Sequence, residues 1–541
     1  MVVLSRKPRR SASGPPTVTL LNDPRDNERD TDMIDRHRKG QAIRAAAARR
    51  AYSDPFPDQL TNGEEVSYLY VSSASKGLPH DEIGEVDPIA YRALLRAVGS
   101  GRPEHFEAIP LGLPNSRKLF NPQGGLAFDI QGPDSHGTVI PPAPRIDGPE
   151  NSAEMAELYW MALLRDVKFT DFDNAAIVAD AAAELSGFSD FRAPKENGQV
   201  TPRTLFRGLT PGDLVGPYIS QFLLRDIQFG TLRTPHRHDT VAAGVDYMTN
   251  FQEWLAVQRG APLTLKPQDR DFVNARYIQT PRAMGHYTHF DLLYQPYLYA
   301  CLILLGMNPD LSKLQDPGNP YLWSQNQTGF VTFGTPHILS LVAEVANRAV
   351  KATAYQQFFV HRRPRPEAFG GRIDVHLSRD PGRYDGIIDS EILDAGVLER
   401  VKKQFGTYLL PQAFPEGSPM SPAYQSGHAT VAGACVTVLK AWFNESAPIP
   451  DPVVPDDAGT KLVPYTGADK DRLTVGGELN KLAANIGNGR AMGGVHWRTD
   501  YTEGFKLGEA IAIGILRDQK PTTNEDATFT ITRFDGTTIA V

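Results

Sequence analysis

The sequence predicts a mainly α-helical protein made of helical bundles, with a few short β-hairpins. Three observations predict it. After residue 335, apolar residues recur at helical spacing in four long windows, while strand-like alternation is short and sparse. Each window opens or closes on a cluster of His, Arg, Ser or Gly, as in a bundle that carries its chemistry at helix ends. Gly and Pro number 47 and 43 in 541 residues, enough for many turns and long connections between helices.

The bulk numbers narrow the class. A chain of 541 residues suits several domains or one large helical fold with extensions. The net charge of −7 gives no reason to expect a nucleic-acid partner. No stretch reaches the roughly 18 to 20 apolar residues that cross a bilayer, so no membrane span is expected. Met1 to Arg10 is basic, but Ser11 to Pro16 follows where a signal peptide has its apolar core. A cytoplasmic location is therefore expected. Cys301 and Cys435 both sit in apolar runs and read as buried thiols rather than a disulfide.

Residues 1–60 are polar, rich in Arg and Asp and broken by proline. They read as an extended arm with one short helix over 32–51; such an arm is a disordered tail by default, and in an oligomer it could wrap a neighbour. Residues 61–270 hold amphipathic helical windows at 88–98, 152–167 and 173–185, separated by Gly/Pro-rich loops. They read as a scaffold with oligomer contacts. Residues 271–541 read as the catalytic bundle. Its first helix starts at Thr335-Pro336, with Thr335 as N-cap, and runs towards Phe359. It stops before Arg363-Pro364-Arg365-Pro366, because residues preceding proline disfavour the helical region. A second helix spans 427–443, with Val431, Cys435, Val438 and Trp442 on one face. A third, through Leu479, Leu482 and Ile486, leads into Arg490, and a fourth follows Asp500. Thr528 to Thr532 alternates and reads as a short strand.

The chemistry-bearing residues fall at these helix ends. Ser426-Gly427-His428 opens the second helix, Arg490 precedes His496 by six residues, and Asp500 follows four further on. Upstream lies His361-Arg362-Arg363-Pro364-Arg365-Pro366. Together they describe a pocket for a tetrahedral oxyanion. Arg365 and Arg490 are the candidate clamps, since a guanidinium stays charged and donates two hydrogen bonds in fixed geometry. A helix start offers unpaired N–H groups and a positive dipole end, which Gly427 lets an anion approach. Ser426 alone reads as an N-cap, and beside Gly427 it becomes a donor to the anion. One histidine is expected to bond the central atom and the other to shuttle protons. On a helix, Asp500 would lie beside His496 and fix its tautomer. His361 reads as a packed or capping histidine. The spacing of His286 and His289 is weak support for a metal site, and a structural role is expected for both.

From these residues outward the sequence resembles the vanadium-dependent haloperoxidases, in particular the red-algal and cyanobacterial bromoperoxidases. That family shares a fold with the type 2 phosphatidic-acid phosphatases. The likeness is carried by His361 to Ala368, by Pro415-Glu416-Gly417-Ser418-Pro419-Met420 running into Ser426-Gly427-His428, and by Gly476-Gly477-Glu478-Leu479-Asn480-Lys481-Leu482 running into Arg490 and Gly494-Val495-His496. It extends through Phe534-Asp535-Gly536-Thr537-Thr538.

The resemblance implies orthovanadate as cofactor, with vanadium bonded to His496, in a site that phosphate also fits. It implies vanadate oxygens held by Arg365, Ser426, Gly427 and Arg490, and His428 as the acid–base group. It implies hydrogen peroxide and a halide, bromide or iodide, as substrates, with small organic molecules as halogen acceptors. Vanadium in this chemistry is a Lewis acid of constant oxidation state. A large homo-oligomer is implied as well.

Two departures stand out. The family has a lysine eight residues before the first arginine; counting back from Arg365 gives Gln357, and Lys351 is out of register. Arg362 and Arg363 are the neighbouring cations placed to compensate. Where algal bromoperoxidases have a histidine seven residues before His428, this chain has Ser421, so halide preference does not transfer. Asp500, Ser421 and Arg362 are expected to support the pocket from behind. Calcium is not expected at residues 322–329, which hold no carboxylate. The competing readings are a phosphate-monoester hydrolase using the same pocket, and a relative impaired by Gln357.

Overall fold

The computed structural model describes residues 24–54, 56–266, 269–307 and 314–541. The chain divides after Asp54. The first unit contributes one helix, Pro24–Ser53, longer than the 32–51 helix expected in the arm. The run Ala45 to Ala48, flanked by arginines, is a strong helix former, so the segment is helical rather than extended.

In the second unit the expected early windows are helices Pro88–Ser100, α1 (Pro149–Leu163) and Ala176–Gly187. The bundle that follows contains α2 (Pro281–Phe290), α3 (Gln295–Met307), α4 (Thr335–Tyr355), α5 (Pro366–Asp374), α6 (Gly427–Trp442), α7 (Val475–Met492) and α8 (Arg498–Gln519). The strands pair only two by two, all antiparallel: β1 (Ile227–Phe229) with β2 (Leu232–Thr234), β3 (His238–Val241) with β4 (Arg270–Arg276), β5 (Val453–Pro455) with β6 (Leu462–Pro464), and β7 (Thr530–Thr532) with β8 (Thr538–Ala540). The fold is thus mainly α with short strand pairs.

The helix ends refine the sequence reading. The cap of α4 is Gly334; Thr335 is its first residue and makes no cap bond. After Tyr355 the chain continues as a π-turn, Gln356–His361, and stops at Arg362 in the left-handed region (φ 43°). The turn widens and breaks there because Pro364 forbids a further helical turn.

Helix α6 is the central helix of the second unit's bundle. Every residue from Ala429 to Trp442 is buried, where the sequence showed only one apolar face. Helices α4, α7 and α8 pack around it. The α6–α8 crossing is a backbone contact: a Cβ on Gly433 would strike the Phe505 carbonyl, and one on Gly508 would strike the Thr430 carbonyl. Gly504 lies 2.8 Å, measured from its absent Cβ, from the Ala429 methyl. This glycine seam draws the two helix starts together. Cys301 and Cys435 are free and buried. Among the described residues no single helix is long and apolar enough to cross a membrane; α2 and α3 together would be, but they meet at a 100° bend.

Candidate active site

The site is built where α6 and α8 begin. Ser426 caps α6, its Oγ accepting from the Ala429 N–H at 3.5 Å, with Gly427 and His428 in the first turn. Asp500, in the first turn of α8, accepts the Trp497 N–H at 2.9 Å. The Ser426 N–H donates to the Asp500 carbonyl at 2.9 Å and ties the two starts together. His496 stands just before α8, not on it. Its four-residue relation to Asp500 survives because the carboxylate reaches back as a cap and also receives His496 Nδ1 at 2.8 Å.

That bond decides the tautomer. Arg365 Nη1 lies 2.7 Å from His496 Nε2 and can only donate. The proton is therefore on Nδ1, facing Asp500, and Nε2 presents a lone pair. Burial, together with the charges of Arg365, Arg490 and His428, holds the imidazole well below its usual pKa and keeps it neutral. Behind it, burial pushes Asp500 up to about 7 against the pull of Arg363.

Arg365 is aimed by Ser421, whose carbonyl accepts from Nε at 2.8 Å and whose Oγ accepts from Nη2 at 2.9 Å, and by the Val495 carbonyl at 2.9 Å. Arg490 donates to the Thr288 carbonyl at 2.9 Å and lies over the Phe414 ring at 5.8 Å; its Nε is buried without a partner among the described residues. Neither arginine makes an ion pair among the described residues, and burial pushes them down to about 9 and about 10. Their neighbours differ. Arg362 pairs with Glu65 at 2.6 Å, Arg363 with Glu154 at 2.9 Å and Asp500 at 3.2 Å, and Arg498 with Glu157. Two buried guanidiniums lacking anions, beside a neutral imidazole lone pair and a capped helix start, are complementary to a tetrahedral oxyanion.

The remaining expected residues are placed as follows. His428 Nε2 bonds Asp291 Oδ1 at 2.9 Å, at the α2–α3 corner. Sequence reasoning missed this partner; the nearby histidines His286 and His289 were read as structural, with weak support for a metal site. Gln357 is buried and donates to the Gln425 carbonyl at 2.7 Å, bracing the turn before Ser426. Arg362 and Arg363 do not compensate for its missing charge, because each is neutralised by carboxylates. Arg362, expected behind the pocket, faces Glu65; Arg363 stands there instead, over the Trp497 ring at 4.5 Å and against Asp500. His361 packs edge-on to Tyr424 at 4.8 Å, and burial pushes it down to about 3. His289 bonds Glu416 at 2.9 Å and stacks on Phe414 at 3.8 Å.

Fold and site define a helical-bundle protein with a buried histidine–arginine cluster, and comparison with known proteins bears on its fold and family. Residues 394–522 match the family model for the VCPO second helical-bundle domain. A vanadium-dependent bromoperoxidase of Corallina officinalis is 38% identical over 92% of this chain and 97% of its own length. One of Ascophyllum nodosum is 36% identical over 95% of this chain and 92% of its own. The homohexameric structure of a second vanadate-dependent bromoperoxidase from Ascophyllum nodosum superposes with a TM-score of 0.87 at 30% identity, covering 99% of this chain and 94% of that one. The chain belongs to the vanadium-dependent haloperoxidase family.

Proposed function

We infer that this protein is a vanadate-dependent haloperoxidase, which oxidises bromide or iodide with hydrogen peroxide to a hypohalous-acid equivalent that halogenates organic acceptors. One observation carries the reading: among the described residues Arg365 and Arg490 are buried without carboxylate partners, and both charges act on His496, whose Nε2 presents a lone pair. The residues present fit orthovanadate. His496 would bond the vanadium through Nε2, once Arg365 yields that contact to an oxygen. Arg365 and Arg490 would neutralise the oxygens, and Ser426 Oγ and the Gly427 N–H would donate to them. Bound there, vanadate supplies a Lewis acid that activates peroxide.

The other residues hold and move protons. Asp500 keeps the His496 proton on Nδ1. His428 is the acid–base group, and Asp291 orients its ring through Nε2. Ser421 sets the angle of Arg365. Gln357 brings an amide where the family has a lysine, so it adds no charge to the pocket. Phosphate fills the same pocket when vanadate is absent, and no calcium is assigned. Assembly follows the homohexameric neighbour.

The test is direct. Protein dialysed free of vanadate and then reconstituted should brominate an indicator dye only with vanadate, peroxide and bromide all present. His496→Ala should stay folded and lose stoichiometric vanadate retention on dialysis. A phosphomonoesterase activity with no vanadate-dependent bromination would replace this reading with the hydrolase.

A further inference from the structure

Lys76 is remote in sequence from every pocket residue and is only 8% exposed. Its ammonium donates to Glu367 Oε1 at 2.5 Å, to the Glu416 carbonyl at 2.8 Å and to the Ser418 carbonyl at 2.7 Å. An ammonium has three N–H groups, so all are engaged. The backbone around it is pinned: the Ala74 N–H donates to the Arg362 carbonyl and the Gly77 N–H to the Gln258 carbonyl, each at 2.7 Å. Gly77 is left-handed (φ +92°), and a Cβ there would strike the Met420 methyl.

Glu367 lies two residues after Arg365, in the first turn of α5. Its second oxygen accepts the Ser418 N–H at 2.7 Å. The Lys76–Glu367 pair therefore grips residues 416–418 by two carbonyls and one N–H. This short segment links the two arginines. At one end Phe414 underlies Arg490; at the other Ser421 receives Nε and Nη2 of Arg365. Between them the Glu416 carboxylate holds His289, which stacks on Phe414. The Lys76 charge is compensated by Glu367, so it does not replace the lysine absent at Gln357.

We propose that Lys76 is a positioning residue: with Glu367 it fixes residues 414–421, and through them the spacing and aim of the Arg365 and Arg490 guanidiniums. This rests on the reading of those two arginines as the oxyanion clamp. A clamp displaced by about 1 Å loses on the order of a hundredfold in efficiency, so a distant anchor of this kind is felt at the site.

The experiment measures orthovanadate and inorganic phosphate binding to vanadate-free full-length protein by calorimetry. It compares wild type, Lys76→Met, Lys76→Met with Glu367→Gln, and Arg365→Ala, each checked for folding by circular dichroism. The double variant removes the unpaired buried carboxylate that Lys76→Met leaves behind. Both Lys76 variants should remain folded and bind oxyanion roughly tenfold or more weakly. If Arg365→Ala weakens binding while the Lys76 variants stay within about twofold of wild type, whatever their unfolding midpoints, Lys76 has no positioning role. If both Lys76 variants are unfolded, Lys76 is structural and the proposal is overturned. If Arg365→Ala binds as wild type, the clamp itself is wrong and the role of Lys76 falls with it.

Discussion

At the scale of single residues, neighbouring cations that look alike in sequence do different work. Arg362, Arg363 and Arg365 are nearly adjacent, yet the first two end on carboxylates and only Arg365 faces His496. This bears on Gln357. With Arg362 and Arg363 neutralised, a lysine introduced at 357 meets less repulsion than three clustered arginines suggest. Gln357→Lys should tighten vanadate binding and raise bromide oxidation; a charge-assisted hydrogen bond contributes about 1.5 to 3 kcal/mol before desolvation is subtracted, so a gain of about tenfold is expected. Equilibrium dialysis and bromination rates check it, and unchanged or lower values refute it. His361 gives a pH prediction. Its pKa falls from 6.5 to about 3 on folding, through burial and the charges of Arg362 and Arg363. The unfolded chain then binds one more proton than the folded chain between those values, so wild type loses stability as pH falls through that window. His361→Phe should lose one proton of pH dependence there, about 1.4 kcal/mol per pH unit, with stability above pH 7 changed little in slope. Urea unfolding from pH 4 to 8 measures it.

At the scale of elements, the site depends on where two helices start, and the starts depend on where the helices cross. Gly433, Gly504 and Gly508 let α6 and α8 touch at the backbone, which brings Ser426 to Asp500. Gly508→Ala forces a methyl into the Thr430 carbonyl and the Ala434 amide. Overpacking of this kind costs about 1 to 3 kcal/mol. The variant should unfold at lower urea and also bind oxyanion more weakly, since separating the helices separates the pocket. Normal affinity in the folded variant would show that the seam does not set the site.

At the scale of the whole molecule, the buried charges of Arg365 and Arg490 make folding sensitive to anions, on the proposed reading of the site. Burial pushes Arg365 to about 9 and Arg490 to about 10, and a bound anion would offset that cost of burying their charges. Vanadate or phosphate should therefore raise the unfolding temperature of vanadate-free protein. Ligand at a hundred times its dissociation constant stabilises by about 2.7 kcal/mol, and the shift should be absent in Arg490→Ala. Differential scanning calorimetry reads both, and an equal shift in the variant would place the anion elsewhere.

Local signals made much of this legible in the sequence. Helical spacing showed α4, α6, α7 and α8, and motif spacing singled out Ser426, His428, Arg490 and His496, because capping and periodicity are properties of neighbouring residues. Three features were not legible. Only the packed structure joins His428 to Asp291 at a helix corner, assigns Arg362 to Glu65 and Arg363 to Asp500, and carries Lys76 to Glu367. Their sequence separations, 137 residues for His428 and Asp291 and 291 for Lys76 and Glu367, leave no periodic trace. The sequence by itself determined which residue types stand at which helix ends. Tertiary structure alone decided which buried charges are neutralised and which, among the described residues, have no carboxylate partner, since pairing depends on distance in space and on exclusion of water.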